Sequence, residues 1–228
     1  MEINIYDQLI KELYVNDNPY NYSKDKPDHR YPHTNIVDSL IEEILVKTKP
    51  NFWLEVGTML GGSIIKTANK AKHLGLSTKM ICIDPFTGDV NMWDWEKKLK
   101  ENNQWRFLHL KNGKPSIYDR FLANIIESGH QDSILPITCT SIVGMRLLKR
   151  LYEQNRLSQL PEVIYLDSAH EKDETFLELT VAWDLLANKG VLWGDDWSWQ
   201  AVSHDVSRFC EEKKINLQIK NGQWILFK

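Results

Sequence analysis

Acidic side chains recur in this 228-residue chain where short apolar runs come to an end. Glu55 lies near the end of one run, Asp84 closes a second, Asp167 a third, and Asp195-Asp196 follow a fourth. Such a run, stopped by an acid and a turn, reads as a buried strand whose carboxyl end opens on a pocket. If the runs ending at Asp167 and Asp195 are neighbours, they lie ~4.8 Å apart and their carboxylates converge. Three negative charges without a counter-ion force at least one pKa upward. A hard divalent cation held by oxygen resolves the conflict, and Mg²⁺ suits it. Asp167, Asp195 and Asp196 are therefore candidate metal ligands. The competing roles are a helix cap for Asp196 and simple solvation for Asp195. His170 follows Asp167 by three residues, within reach of the same place. A neutral imidazole there is a candidate general base, with a surface or capping role as the alternative.

A site of this composition suits the making of an oxygen nucleophile. An alcohol hydroxyl titrates near ~15.7, so deprotonating it at pH 7 costs about 12 kcal/mol. A histidine alone, with a pKa of ~6.5, is poorly matched to that task. A metal that stabilises the alkoxide and fixes its orientation closes the gap.

A second pattern lies upstream, in Trp53-Leu54-Glu55-Val56-Gly57-Thr58-Met59-Leu60-Gly61-Gly62-Ser63. It reads as strand, glycine turn and helix start, the way a parallel α/β sheet opens a nucleotide-type pocket. The glycines allow close backbone approach, and N–H groups at the new helix start face the ligand. The spacing is not G-x-G-x-x-G, which argues against a nicotinamide dinucleotide. The acid at the strand end fits a positively charged ligand rather than a phosphate. Asp84, 29 residues after Glu55, stands where a carboxylate takes a ribose hydroxyl pair; it also suits a turn before Pro85. Of nine tryptophans, Trp197 and Trp199 follow the acid pair, and Trp93, Trp95 and Trp105 occupy one long connection. For each of these five, packing a ring-shaped ligand and packing the core or an interface are equally open, whereas Trp53, Trp183 and Trp193 read as core. His29 and His33 are weak candidates for substrate contact.

These residues need a frame. Apolar periodicity predicts helices over 1–14, 36–47, 62–73, 116–128, 142–153, 174–187 and 200–213. Strands are expected over 52–56, 79–84, 134–138, 163–167 and 191–193. A hairpin of 215–220 and 223–227 turns on Asn221-Gly222. Residues 15–34 read as irregular, and 86–115 as a long connection of the functional or partly helical kind. Five β-then-α units and a terminal hairpin make an α/β fold: a doubly wound, Rossmann-like, mostly parallel seven-stranded sheet with an antiparallel C-terminal hairpin strand. The expected division is a helix and irregular segment over 1–34, which caps the pocket or builds an oligomer interface, and one domain over 35–228.

Composition narrows the class. With 42% hydrophobic and 26% charged residues the chain is ordinary globular material. A net charge of −3 offers no footprint for nucleic acid. No apolar run reaches the ~18 residues that span a membrane. Cys82, Cys139 and Cys210 form no C-x-x-C pair, so a zinc cage or disulfide frame is not expected. Reduced thiols and a start without a signal-peptide pattern lead to the expectation of a cytoplasmic protein. The charge runs at 96–98 and 211–214 read as solvated helix faces.

From about residue 33 onward the chain resembles class I S-adenosylmethionine-dependent methyltransferases. Within them it is most similar to the small O-methyltransferases of the cephalosporin-hydroxylase-like and macrocin-type groups, with the catechol-type enzymes sharing the plan. The stretch from Glu55 to Ser63 matches the motif that binds the methionine part of the cofactor, which implies contacts from Glu55, Gly57, Thr58, Gly61 and Ser63. Ile83-Asp84-Pro85-Phe86 resembles the second motif, which implies that Asp84 takes the ribose and Phe86 packs near adenine. Cys139-Thr140-Ser141 falls where many members carry Gly-Asp-Ser or Gly-Asp-Ala, a departure that assigns adenine contacts to Thr140 and Ser141 only by position. Tyr165 to His170 resembles the metal-plus-base motif, and Gly190 to Asp196 the strand that supplies the remaining ligands. The resemblance implies transfer of the sulfonium methyl to an acceptor oxygen held by Asp167, Asp195, Asp196 and Mg²⁺, with Asp167 and His170 catalytic and Asp167 also near the cofactor. The implied acceptor is a hydroxyl of a small molecule (a sugar, a phenol or a natural-product scaffold). A protein of the same fold that binds the cofactor without catalysis or without metal is the alternative.

Overall fold

The structure is a computed structural model that describes residues 4–27, 34–93, 107–168 and 170–228. Short runs rich in β-branched and aromatic residues form the strands: β1 (Phe52–Val56), β2 (Lys79–Asp84), β3 (Ile134–Thr138), β4 (Val163–Leu166), β5 (Val191–Gly194), β6 (Gln218–Lys220) and β7 (Gln223–Phe227). They make one sheet in the order β3-β2-β1-β4-β5-β7-β6. β1 to β5 are parallel, and β7 runs antiparallel to both β5 and β6. This is the expected fold, with β7 as the strand that runs against the rest.

Side chains alternate across the sheet, and both faces are covered. Leu54, Ile81, Ile164 and Leu192 face one layer, into which pack Leu9 of α1 (Ile5–Tyr14), Met145 of α5 (Ser141–Glu153), Leu179 of α6 (Glu174–Leu185) and Val206 of α7 (Gln200–Lys213). Trp53, Cys82, Tyr165 and Trp193 face the other, against Ile41 of α2 (Asp38–Thr48), Ile64 of α3 (Gly62–His73) and Phe121 of α4 (Ile117–Glu127). Trp53 and Trp193 meet edge to face at 5.9 Å, a core pair as expected. Trp183 packs on Phe209 at 5.9 Å.

The N-terminal segment seals an edge. The Tyr14 hydroxyl donates to the carbonyl of Pro136, and the Tyr20 hydroxyl to that of Ile134 at 2.8 Å, alternate residues of the outer strand β3. Tyr6 donates to the carbonyl of Gln131 at 2.6 Å. Within the segment read as irregular, Pro19–Tyr22 forms a 3₁₀ turn capped by Asn18. His29 and His33 lie outside the described residues. So do Trp95, Trp105 and the charge run at 96–98 in the long connection, of which Val90–Met92 is a 3₁₀ turn. The run at 211–214 is exposed. Among the described residues, no helix is long and apolar enough to cross a membrane.

Candidate active site

The sheet order reverses between β1 and β4, so a crevice opens at their carboxyl ends. Two loops meet there. Gly57, at φ 83°, leaves β1 and donates its N–H to the carbonyl of Ile83 at 2.9 Å. A Cβ at this position would sit 2.1 Å from the carbonyl oxygen of Asp167, so glycine is demanded by the loop that follows β4. Asp84 ties the glycine loop down. Its carboxylate accepts from the N–H groups of Thr58 at 2.9 Å and Met59 at 2.8 Å, and from Phe86 at 2.6 Å. The last is the turn-starting bond expected of an aspartate before proline. Burial raises the Asp84 pKa against these three donors.

Glu55 is fully buried on the α3 face of β1. One oxygen accepts from the Ser63 hydroxyl at 2.6 Å, and the other has no hydrogen-bond partner among the described residues. Burial pushes its pKa up to about 7, against the hydrogen bonds of Ser63 and Thr58. The Thr58 hydroxyl is likewise buried and makes no bond of ordinary length. Gly61 caps α3 at φ 89°. Phe86 is buried between the rings of Tyr118 and Phe121, at 5.1 and 5.2 Å. Thr140 caps α5 on the exposed side, and Ser141 begins the helix and helps hold the charge of Glu178.

Across the crevice, Asp167, His170 and Asp196 each offer a ligand atom, all within 4.8 Å of one another. Asp196 takes the left-handed conformation, φ 57°, uncommon for a residue with a side chain and frequent at functional sites. His170 presents Nε2 to Asp196 at 2.7 Å and Nδ1 to Asp89 at 3.6 Å, and its ring packs on Trp199 at 5.3 Å. Burial alone would lower the His170 pKa, but the bonds to Asp196 and Asp89, with the charges of Asp196 and Asp167, push it up to about 10. Burial and the neighbouring Asp195 and Asp196 hold Asp167 well above the usual carboxylate range. The acids thus use the imidazolium as a counter-ion.

Asp195 stands apart from this group. One of its oxygens accepts from the N–H of Asp196 at 2.8 Å, and the other faces the Tyr165 hydroxyl at 3.4 Å. Consecutive residues leaving a strand point to opposite faces, so two adjacent aspartates do not enter one cluster from the same side. Asp195 nevertheless lines, with Asp167, His170 and Asp196, one small cleft.

Three polar residues at the site escaped the sequence reading. Asp89 lies in the long connection, where no periodicity points to it. Glu178, buried on α6, accepts from the Ser168 hydroxyl with both oxygens, at 2.9 and 2.8 Å. An acid in line with Thr175, Leu179 and Ala182 on the buried stripe of that helix was the signal available. Gln223 is an amide at an inward register position of β7, fully buried. Trp199 stands at the cluster, whereas Trp197 packs into the core and Trp93 bonds the carbonyl of Thr87 at 3.0 Å.

A family profile described as a methyltransferase domain matches residues 54–197. The chain belongs to this methyltransferase family. The matched span begins one residue before Glu55 and ends one residue after Asp196, so it holds the glycine loop and the acid cluster together. No curated protein matches the sequence. Solved structures do match the methyltransferase in fold. The Podospora anserina methyltransferase PaMTH1, bound to SAH, superposes with a TM-score of 0.58 at 13% identity, over 97% of this chain and 88% of its own. The calicheamicin methyltransferase CalS11 gives 0.56 at 14% identity, over 83% and 76%. The Bacillus cereus O-methyltransferase in complex with SAH gives 0.52 at 13% identity, over 100% and 92%.

Proposed function

We propose that this methyltransferase transfers the methyl group of S-adenosylmethionine to a hydroxyl oxygen of a small molecule, with a divalent cation, Mg²⁺ by its chemistry, at the acid cluster. The observation that carries the reading is the Asp167/His170/Asp196 group facing a glycine loop across the switch point, all within the methyltransferase-domain match. The donor sets fit both groups. Oxygen ligands from Asp167 and Asp196, with Asp195 at the wall of the same cleft and able to join them only by turning from Tyr165, suit a hard cation. The partnerless oxygen of Glu55, with the Thr58 hydroxyl beside it, suits the positively charged amino acid end of the cofactor. Asp84 takes the ribose, Gly57, Gly61 and Ser63 shape the loop around the methionine part, and Phe86, Thr140 and Ser141 border the adenine side.

In this reading the cofactor supplies the methyl group and the cation a positive charge that favours the deprotonated hydroxyl. The chain does the rest. Asp167 and Asp196 would fix the acceptor oxygen's place; a cation that balances these acids would relieve His170 of its counter-ion role and of its raised pKa, so that the neutral imidazole takes the proton at Nε2 while Asp89 holds Nδ1. Gly57 lets the loop carrying the cofactor contacts lie directly against the backbone of Asp167. One observation favours a second reading, a cofactor binder that needs no metal: His170 already balances the acids in charge.

Two measurements decide. S-adenosylmethionine at 100 times its Kd stabilises by about 2.7 kcal/mol, a rise in Tm of roughly 5–10 °C. Mg²⁺ should add a further shift. Methyl transfer to a panel of sugars and phenols should disappear in Asp167→Ala and under chelation. Transfer that survives both leaves the metal-free reading standing.

A further inference from the structure

Gln223 opens β7, one register step from the Gly194–Trp224 pair, and so lies across from Asp195. It is fully buried, and neither the nitrogen nor the oxygen of its amide has a hydrogen-bond partner among the described residues. An amide in that state is destabilising relative to one left in water. Leu or Met would fill the position between two apolar layers without that cost. The amide is close enough to Asp195 to favour its charged form, yet forms no bond of ordinary length with it. Asp195 is itself loosely held, with its Tyr165 contact stretched to 3.4 Å. A buried amide without a partner thus lies beside a carboxylate that the Asp196 N–H holds at one oxygen and only the long Tyr165 contact at the other.

We infer that Gln223 is a positioning residue for Asp195: its amide N–H closes on one carboxylate oxygen and leaves the other to a divalent cation in the cleft. The inference rests on the cation reading above. Outer partners that orient a ligating carboxylate are worth 10–100-fold in metal affinity. The cost of the orphaned amide in the cation-free protein is then a preorganisation cost, recovered when the cation draws Asp195 into place.

The test is Mn²⁺ binding to the full chain by titration calorimetry, alongside the Tm of the cation-free protein. Gln223→Met keeps the volume and removes the amide. Gln223→Asn keeps the amide and withdraws it by one methylene. Both should raise the Mn²⁺ Kd by about 10–100-fold, while the cation-free Tm of Gln223→Met equals or exceeds that of the wild type. Unchanged Mn²⁺ affinity in both variants overturns the inference, as does a loss of affinity matched by a lower cation-free Tm in both. Wild type that binds S-adenosylmethionine but not Mn²⁺ removes the cation reading and the inference with it, a result told apart by appearing in the unmutated chain.

Discussion

The carboxylate of Glu55 is fully buried, with a donor in Ser63 for one oxygen and, among the described residues, no hydrogen-bond partner for the other. Its pKa, pushed from 4.5 up to about 7 by burial, means that the folded protein binds a proton more readily than the unfolded chain. The contribution of this group to stability is fully present below pH 4.5 and is lost as the pH rises through 7. The size is on the order of 3 kcal/mol for a shift of this extent. Glu55→Gln cannot ionise, so its stability relative to wild type should rise between pH 4.5 and 8 by about that amount. Urea unfolding at pH 5 and pH 8 reads the difference directly, and parallel behaviour of the two proteins would sink the idea. The same residue shows what a sequence conveys at this scale. An acid at a strand end before a glycine turn was legible, and so was its place beside the pocket. That its nearest donor is Ser63, eight residues on, follows from how α3 returns over β1, which no local pattern states.

Elements place the cluster more firmly than any single side chain. The turn after β1 and the turn after β4 touch through Gly57 and the Asp167 carbonyl, so neither loop moves alone. Gly57→Ala would have to hold a side chain at φ 83° and push back a backbone only 2.1 Å from its Cβ. The strained dihedral costs about 1–2 kcal/mol and the crowding about 1–3. A loss of roughly 2–5 kcal/mol in denaturant unfolding is expected; a loss under ~0.5 kcal/mol, as on an ordinary surface, would show that the loops are independent. The strands and helices that carry these turns were readable because apolar runs and stripes report burial directly. Strand β4 ends at Leu166 rather than Asp167, and α6 at Leu185, where the helix stops before the turn at 188–190. What could not be read was direction. Asp195 and Asp196 are adjacent in sequence, and only the twist out of β5, with Asp196 at φ 57°, sends one toward Tyr165 and the other toward His170. Asp89, Glu178 and Gln223 reach the site from a long connection, a helix and the last strand, contacts fixed only when the sheet is assembled.

At the scale of the molecule, a seven-stranded open sheet has two edges, and an edge strand presents unpaired carbonyls that invite another chain. β6 is only three residues long. β3 carries Pro136, at home on an edge, and two of its carbonyls are taken by Tyr14 and Tyr20. The packing of Leu9 and Tyr6 into the same core layer as β1 and β2 makes this seal part of the fold. Burial raises the pKa of both hydroxyls, so they remain donors at any neutral pH. Because both pKa values rise on folding, the stabilisation is fully present below pH 10 and fades as the pH climbs above it. Tyr14→Phe with Tyr20→Phe keeps the rings and leaves two buried carbonyls without donors. The pair should cost about 2–4 kcal/mol at pH 8, since each orphaned group costs ~1–3 and neighbouring losses need not add in full. The double variant should also show a shallower loss of stability than wild type above pH 10, because two of the groups that titrate there are gone. Faster self-association on light scattering at raised temperature would mark the opened edge of β3. Equal stability and equal alkaline slopes in the two proteins would mean that water satisfies those carbonyls and that the N-terminal helix holds its place by apolar packing alone.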